Sequence, residues 1–283
     1  MLQALNNENT NIITVEDPIE MNIEGINQVQ VNSDIGLNFA TVLRSILRQD
    51  PNVILIGEIR DTETAQIAVR ASITGHLVLS TIHTNNSLST IERLLDMEVE
   101  RFLLSSALTG IVSQKLGRIL CPYCKRLRKT TKYEKQLFKQ ILNKDVVEVF
   151  EASRCDKCSN GYRGRIAIQE VLLINDEIRN AMNNPKVNRA QLRHMVYNNS
   201  DVITMLQDGL QKVLEGYTTF EEIYKLIEVE DALDAKYNET MEEIEQKKEK
   251  ALEHKILEKL EEETQVIKEE IVETAPAAEL DII

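Results

Sequence analysis

Cys121-Pro-Tyr-Cys124 and Cys155-Asp-Lys-Cys158 contain the only cysteines of the chain, two CxxC pairs with 30 residues between them. Two residues between thiols let both sulfurs of a pair turn toward one point, and two such knuckles supply the closed four-thiolate shell of a structural zinc site. The chain between them must therefore double back into a small module. A closed shell leaves no position for substrate water, so the metal read here is structural, held by Cys121, Cys124, Cys155 and Cys158. Lys125, Arg126 and Lys157 beside the thiolates would offset the charge of such a site. Two disulfides or unrelated free thiols are the competing reading, which a reducing compartment disfavours.

That compartment is read from the rest of the chain. The longest apolar runs, such as Val53-Ile54-Leu55-Ile56, fall far short of the roughly 18 residues of a membrane span. The polar start at Asn6–Asn11 is no signal peptide, which points to a cytoplasmic protein. At 283 residues the chain has room for about two domains. Its net charge of −13 is uneven, because residues 230–283 hold 18 acids against 7 bases. In contrast, residues 115–144 carry ten Lys and Arg against one acid, Glu134, an electropositive stretch inside a near-neutral body.

Four segments follow from pattern: 1–118, 119–165, 166–229 and 230–283. The first alternates short β-rich runs (Asn11–Glu16, Val53–Glu58, Leu77–Thr81) with helical patterns (near Asn38–Arg48 and Thr62–Ile73), which predicts an α/β fold with a parallel sheet. The second is the module bounded by the Cys pairs. The third reads as a strand, Ile166–Val171, followed by helices. From Glu230 to about Glu273 no Gly or Pro occurs and Glu and Lys dominate. That pattern, which follows a heptad only loosely, fits either a solvated, partly frayed helix or a coiled-coil or partner-docking helix.

In open parallel sheets ligands bind beyond the carboxyl ends of the strands. Three predicted strand ends bring Glu16-Asp17, Glu58 and the segment Ser80–His83 to one such edge. Asp50–Glu58 has the form of an apolar strand ending in an acid, by which nucleotide-hydrolysing proteins place a carboxylate near metal and attacking water. Alone it is a weak signal; Glu16, Asp17 and Glu20 after one strand, and His76 and His83 flanking another, strengthen it. A phosphate-binding loop, Gly-x-x-x-x-Gly-Lys-Ser/Thr, does not occur, since none of the ten Gly is followed by Lys. Residues 1–10 read instead as the end of a helix leading into the first strand.

These motifs resemble, in order, those of the ATPases of type II secretion and type IV pilus assembly. Thr14–Glu20 is similar to the aspartate box of that family, Ile54–Asp61 (ILIGEIRD) to its Walker B motif, and Thr74–Asn85 (TGHLVLSTIHTN) to its histidine box. Gln114–Cys124, Cys155–Cys158 and Gly161–Arg165 resemble its tetracysteine zinc module. Asp208-Gly209-Leu210 and Gly216–Ile223 resemble its C-terminal helical region. The resemblance covers about residues 1–227 and implies a RecA-like P-loop NTPase core truncated to its C-terminal portion (1–118), an inserted zinc module (119–165), C-terminal strand and helices (166–229), and an acidic tail outside the pattern (230–283).

By that resemblance Glu58 would act on the nucleophilic water or the magnesium shell, Glu16 and Glu20 would support it, and His83 would sense the γ-phosphate. Asp17, His76 and Arg60 would contact the nucleotide. The cofactors implied are ATP with Mg2+ and structural Zn2+. The partners implied are a homo-hexamer and an inner-membrane platform protein, with the chain peripheral to the inner face of the membrane. Anionic lipid contact through 115–144 is a further expectation, and little ATP hydrolysis is expected without a phosphate-binding loop. A catalytically silent scaffold of the same motor is one alternative. A zinc-ribbon nucleic-acid binder is another, but it leaves residues 13–85 unexplained, so no nucleic acid is expected.

Overall fold

The computed structural model describes residues 1–197 and 202–227; the acidic segment 230–283 and its expected helix lie outside the described residues. The amino-terminal half runs α1 (Leu2–Leu5), β1 (Ile12–Glu16), β2 (Asn27–Gln30), α2 (Phe39–Ile46), β3 (Val53–Ile56), α3 (Thr62–Ile73), β4 (Leu77–Ser80), α4 (Ser87–Asp96) and α5 (Arg101–Ala107). It continues through β5 (Gly110–Leu120), β6 (Arg126–Lys129), α6 (Lys132–Leu142), β7 (Glu148–Glu151) and β8 (Tyr162–Leu173). Helices α7 (Asp176–Asn183), α8 (Arg189–Tyr197), α9 (Met205–Leu214) and α10 (Phe220–Leu226) follow.

Strands β2, β1, β3 and β4 form a parallel sheet in that order. The inner strands are continuous apolar runs because both of their faces are covered; Ile12, Val15, Ile54 and Ile56 are almost fully buried. Helix α2 packs Val42, Leu43 and Ile46 into the same core. Asn38, Asp61 and Asn86 cap α2, α3 and α4, each accepting from a backbone N–H three residues on, as short polar side chains do at helix starts.

Strands β5 and β8 pair as a long antiparallel ribbon. Its pairing runs on past the rung Arg118–Arg165 to Leu120–Tyr162, at the edge of the Cys-bounded segment. Beyond it, β6 and β7 pair antiparallel and α6 starts with a capping box of Thr131 and Glu134. Helix α6 carries Lys132, Lys135 and Lys139 of the basic stretch.

The basic stretch is largely spent inside the fold. Lys115 Nζ donates to Leu226 O at 2.7 Å and Lys125 Nζ to Gly216 O at 2.9 Å. Arg128 bridges Glu134 and Glu221 at 2.5 and 2.7 Å. Arg118 grips Glu222, Lys139 pairs with Asp145, and Lys144 donates to Gln211. Among the described residues six of the ten cations thus find partners within the chain, and Arg126, Lys129, Lys132 and Lys135 are exposed.

Glu222 is buried and accepts from the Arg118 backbone N–H at 3.0 Å as well as from its guanidinium. Arg118 holds the Glu222 carboxyl below its ordinary range. A carboxyl depressed on folding stabilises the fold above its unfolded pKa, and that contribution is lost as pH falls through the folded value. Melting temperature should therefore drop below about pH 4.3, and less steeply in Glu222→Gln. At neutral pH the substitution should cost about 1 kcal/mol, since half-exposed Arg118 is screened. Thermal scans across pH check both.

Candidate active site and metal centre

The carboxyl ends of β1, β3 and β4 are stitched together by backbone. Gly57 N donates to Val15 O at 2.7 Å, Ile59 N to Thr81 O at 3.0 Å, and Val31 N to Glu16 O at 2.9 Å. Thr81 Oγ1 donates to Gly57 O at 2.6 Å. A Cβ at Gly57 would lie 3.2 Å from Val15 O and 3.3 Å from Glu16 Cα, so a larger residue would push β1 away from β3. This close approach sets Glu58 just past the end of β3.

The Glu58 side chain is only 12% exposed. Its Oε1 lies 2.6 Å from Arg60, and its Oε2 lies 3.3 Å from His83 Nε2. Among the described residues Oε2 is buried with no well-formed hydrogen bond, His83 Nε2 being the group beside it. The Arg60 guanidinium holds the Glu58 carboxyl below its ordinary range, against the opposing effect of burial, with His83 adding to the lowering. Arg60 in turn is held charged by Glu58 and, more weakly, by Asp17.

Glu58 thus lies between Arg60 and His83 at the sheet edge, with Asp17 acting on Arg60. Glu16 is beside it but committed elsewhere, accepting from Thr14 Oγ1 at 2.5 Å and Gln28 Nε2 at 2.9 Å. Glu20 is exposed on the loop between β1 and β2. His76 is at the opposite edge, ahead of β4, with Nδ1 2.9 Å from Ala71 O at the end of α3. Of the residues that brace this edge, Thr14 and Thr81 lie within the stretches that resemble the aspartate and histidine boxes, whereas Gln28 carries no sequence signal of its own.

The four cysteines meet. Cys121–Cys155, Cys124–Cys158 and Cys155–Cys158 sulfurs are 3.8, 3.7 and 3.6 Å apart, and all four lie within 4.8 Å of one another. A tetrahedral zinc with bonds of about 2.3 Å has sulfur–sulfur edges of about 3.8 Å, whereas a disulfide needs about 2.05 Å. The donor set therefore fits one tetrahedral zinc and not two disulfides. Cys121 N donates to Gly161 O at 2.8 Å, fastening one knuckle to the other. Gly161 has φ of +87°, and a Cβ there would sit 2.4 Å from Ser153 O. Gly161→Ala should cost the module about 2 kcal/mol or more, seen as faster amide exchange across residues 152–162.

The model of the family described as "Type II/IV secretion system protein" matches residues 1–225. The "Type II secretion system ATPase E" of Vibrio cholerae serotype O1 is 46% identical over 226 residues, covering 80% of this chain and 44% of that protein. The "Type IV pilus assembly ATPase PilB" of Myxococcus xanthus is 46% identical over 78% of this chain and 39% of its own length. The chain thus spans less than half the length of these two relatives. Among solved structures, the pilus retraction motor PilT with bound ADP superposes with a TM-score of 0.57 at 31% identity, over 80% of this chain and 55% of that one. The ATPase DotB of Legionella pneumophila shares the fold, with a TM-score of 0.54 at 21% identity. The α/β core with its parallel sheet is RecA-like, and the chain belongs to the type II/IV secretion system protein family.

Proposed function

We propose that this chain carries the catalytic-carboxylate part of an ATP-hydrolysing motor for type II protein secretion or type IV pilus assembly. The observation that carries the reading is Glu58, a shielded carboxylate at the end of a central parallel strand, kept ionised by Arg60, with His83 beside its second oxygen, which among the described residues has no well-formed hydrogen bond. An unsatisfied buried acceptor is costly, and it fits a group meant to take a proton from, or orient, a water. When bound, ATP with Mg2+ supplies the phosphoanhydride that this water attacks.

Glu58 orients the water at Oε2 and accepts its proton. Arg60 keeps Glu58 charged, and Asp17 steadies Arg60. His83, exposed beside Oε2, is placed to respond to charge arriving at the site. Glu16, tied to Thr14 and Gln28, braces the end of β1, and Glu20 lies on the adjoining loop. His76 belongs to the other end of β4 and acts on α3. Zinc at Cys121, Cys124, Cys155 and Cys158 would close the module without taking part in hydrolysis.

A homo-hexamer working against an inner-membrane platform protein from the cytoplasmic side is the assembly this reading entails. Among the described residues no helix is long and apolar enough to cross a membrane. Lipid contact in this reading rests on Arg126, Lys129, Lys132 and Lys135. Changing those four to Gln should abolish salt-sensitive binding to anionic vesicles, while equal binding to neutral vesicles excludes an electrostatic contact. The motor reading is tested by joining the chain to the N-terminal part of the Vibrio cholerae relative. Mg2+-dependent ATP turnover with a six-subunit native mass supports it; failure to bind nucleotide refutes it.

A further inference from the structure

The histidine-bearing segment is fastened to the C-terminal helices through one buried carboxylate that the active-site chemistry does not use. Glu170 of β8 is 3% exposed. Its Oε1 accepts from Ser87 N at 3.0 Å and its Oε2 from Met205 N at 3.4 Å. Ser87 and Met205 are the first residues of α4 and α9. Each helix has its own cap for the donor two residues further in, Asn86 to Ser89 N and Thr204 to Gln207 N. Glu170 therefore takes the first free N–H of both helices at once.

The surroundings fix this arrangement from the other sides. Ser113 stands opposite Glu170 across the ribbon, and its hydroxyl lies 3.3 Å from that of Ser87. Tyr197 of α8 is half-buried close by, its phenol pushed up first by burial and then by the Glu170 charge.

Ser87 is four residues after His83, and α9 packs on the far side against the module. Lys144 Nζ donates to Gln211 at 3.0 Å, and a Cβ on Gly209 would press within 2.8 Å of Ile223 in α10. A displacement of α9 is therefore passed to the start of α4 unless Glu170 lets go of one of them.

We propose that Glu170 is a positioning residue that couples the His83 segment to the C-terminal helices and the cysteine module they carry. The link to catalysis rests on the motor reading above; the mechanical coupling does not.

Amide hydrogen exchange on the 283-residue chain tests the coupling directly. Glu170→Gln keeps the shape but offers only one acceptor, so one of the two helix ends must lose its partner. Exchange at residues 84–89 and 204–207 should rise about tenfold or more, with residues 12–16 and 53–56 unchanged. Thr204→Ala, which loosens only α9, should speed exchange at residues 84–89 when Glu170 is present and add nothing in the Glu170→Gln background. No response at 84–89 to Thr204→Ala, or additive effects in the double variant, would overturn the proposal.

In the chain joined to the Vibrio cholerae N-terminal part, Glu170→Gln should lower kcat several-fold at unchanged KM for ATP. If Glu58→Gln abolishes turnover while Glu170→Gln leaves kcat intact, the positioning role is refuted. If Glu58→Gln leaves turnover intact, the assignment of Glu58 as the water-handling carboxylate fails, and the exchange result alone decides the coupling.

Discussion

Chelating zinc from the purified chain, or replacing Cys121 by Ser, is expected to open both cysteine knuckles while the parallel sheet stays folded. The module has little else to hold them. Strands β6 and β7 form a two-stranded ribbon, a unit of marginal stability by itself, and the module's buried side chains beyond Cys121 are few, chiefly Leu137, Phe138 and Val149. In small zinc modules the binding free energy is folding free energy, roughly 10–16 kcal/mol in isolated peptides. Here the cost should be smaller, because the module is also fastened from outside. Phe138 packs on Phe220 with ring centroids 6.2 Å apart, Leu120 N donates to Tyr217 O at 2.7 Å, and Arg128 reaches Glu221.

Exchange should therefore rise about a hundredfold or more at residues 121–128 and 148–161, less in α6, and not at all in β1 and β3. Elemental analysis should give one zinc per chain purified without chelator. Well under one zinc, or four thiols that titrate freely in untreated protein, would rule the metal out.

How much of this was legible from the sequence depends on how local each cause is. Strands β1, β3 and β4 and helices α2 and α3 were legible because apolar runs, caps and glycines lie within them. The meeting of Glu58, His83 and Asp17 followed from the rule that parallel strand ends share one edge. Strand β2 was not legible: Asn27-Gln28-Val29-Gln30 has one apolar residue and forms by pairing with β1. Nor did the pattern show that Gln28 holds Glu16, since that contact needs the register of the pair.

Charge counting misled most in the basic stretch. Arg118 is balanced by Glu222, 104 residues away, and Lys115 and Lys125 are satisfied by backbone carbonyls that carry no charge to count. The cysteine cluster was fully legible because ligand chemistry fixes its geometry regardless of the chain between. Glu170 was invisible for the opposite reason. A Glu in a strand is unremarkable until two helix starts are seen to converge on it.

Glu58→Gln should have the largest effect on catalysis. The amide keeps the size of the side chain and its place past β3, but it has no negative charge and cannot accept a proton from water. Loss of a positioned general base typically costs 10²–10⁴-fold, so kcat in the joined chain should fall by at least about a hundredfold. Nucleotide binding should persist, because phosphate affinity comes from a backbone and Lys cradle that Glu58 does not form.

Arg60→Ala separates charge tuning from simple structural loss. Removing the guanidinium takes away the main influence that depresses the Glu58 pKa, so burial then raises it. A base with a raised pKa is protonated at higher pH. The acid limb of the kcat profile should therefore move upward in Arg60→Ala, with recovery toward normal turnover as pH rises. Lys at position 60 should restore part of the original profile. Turnover of Glu58→Gln within a few-fold of the parent, or an Arg60→Ala profile shifted downward, would mean that another group handles the water and that Glu58 serves only to hold Arg60 and His83 in place.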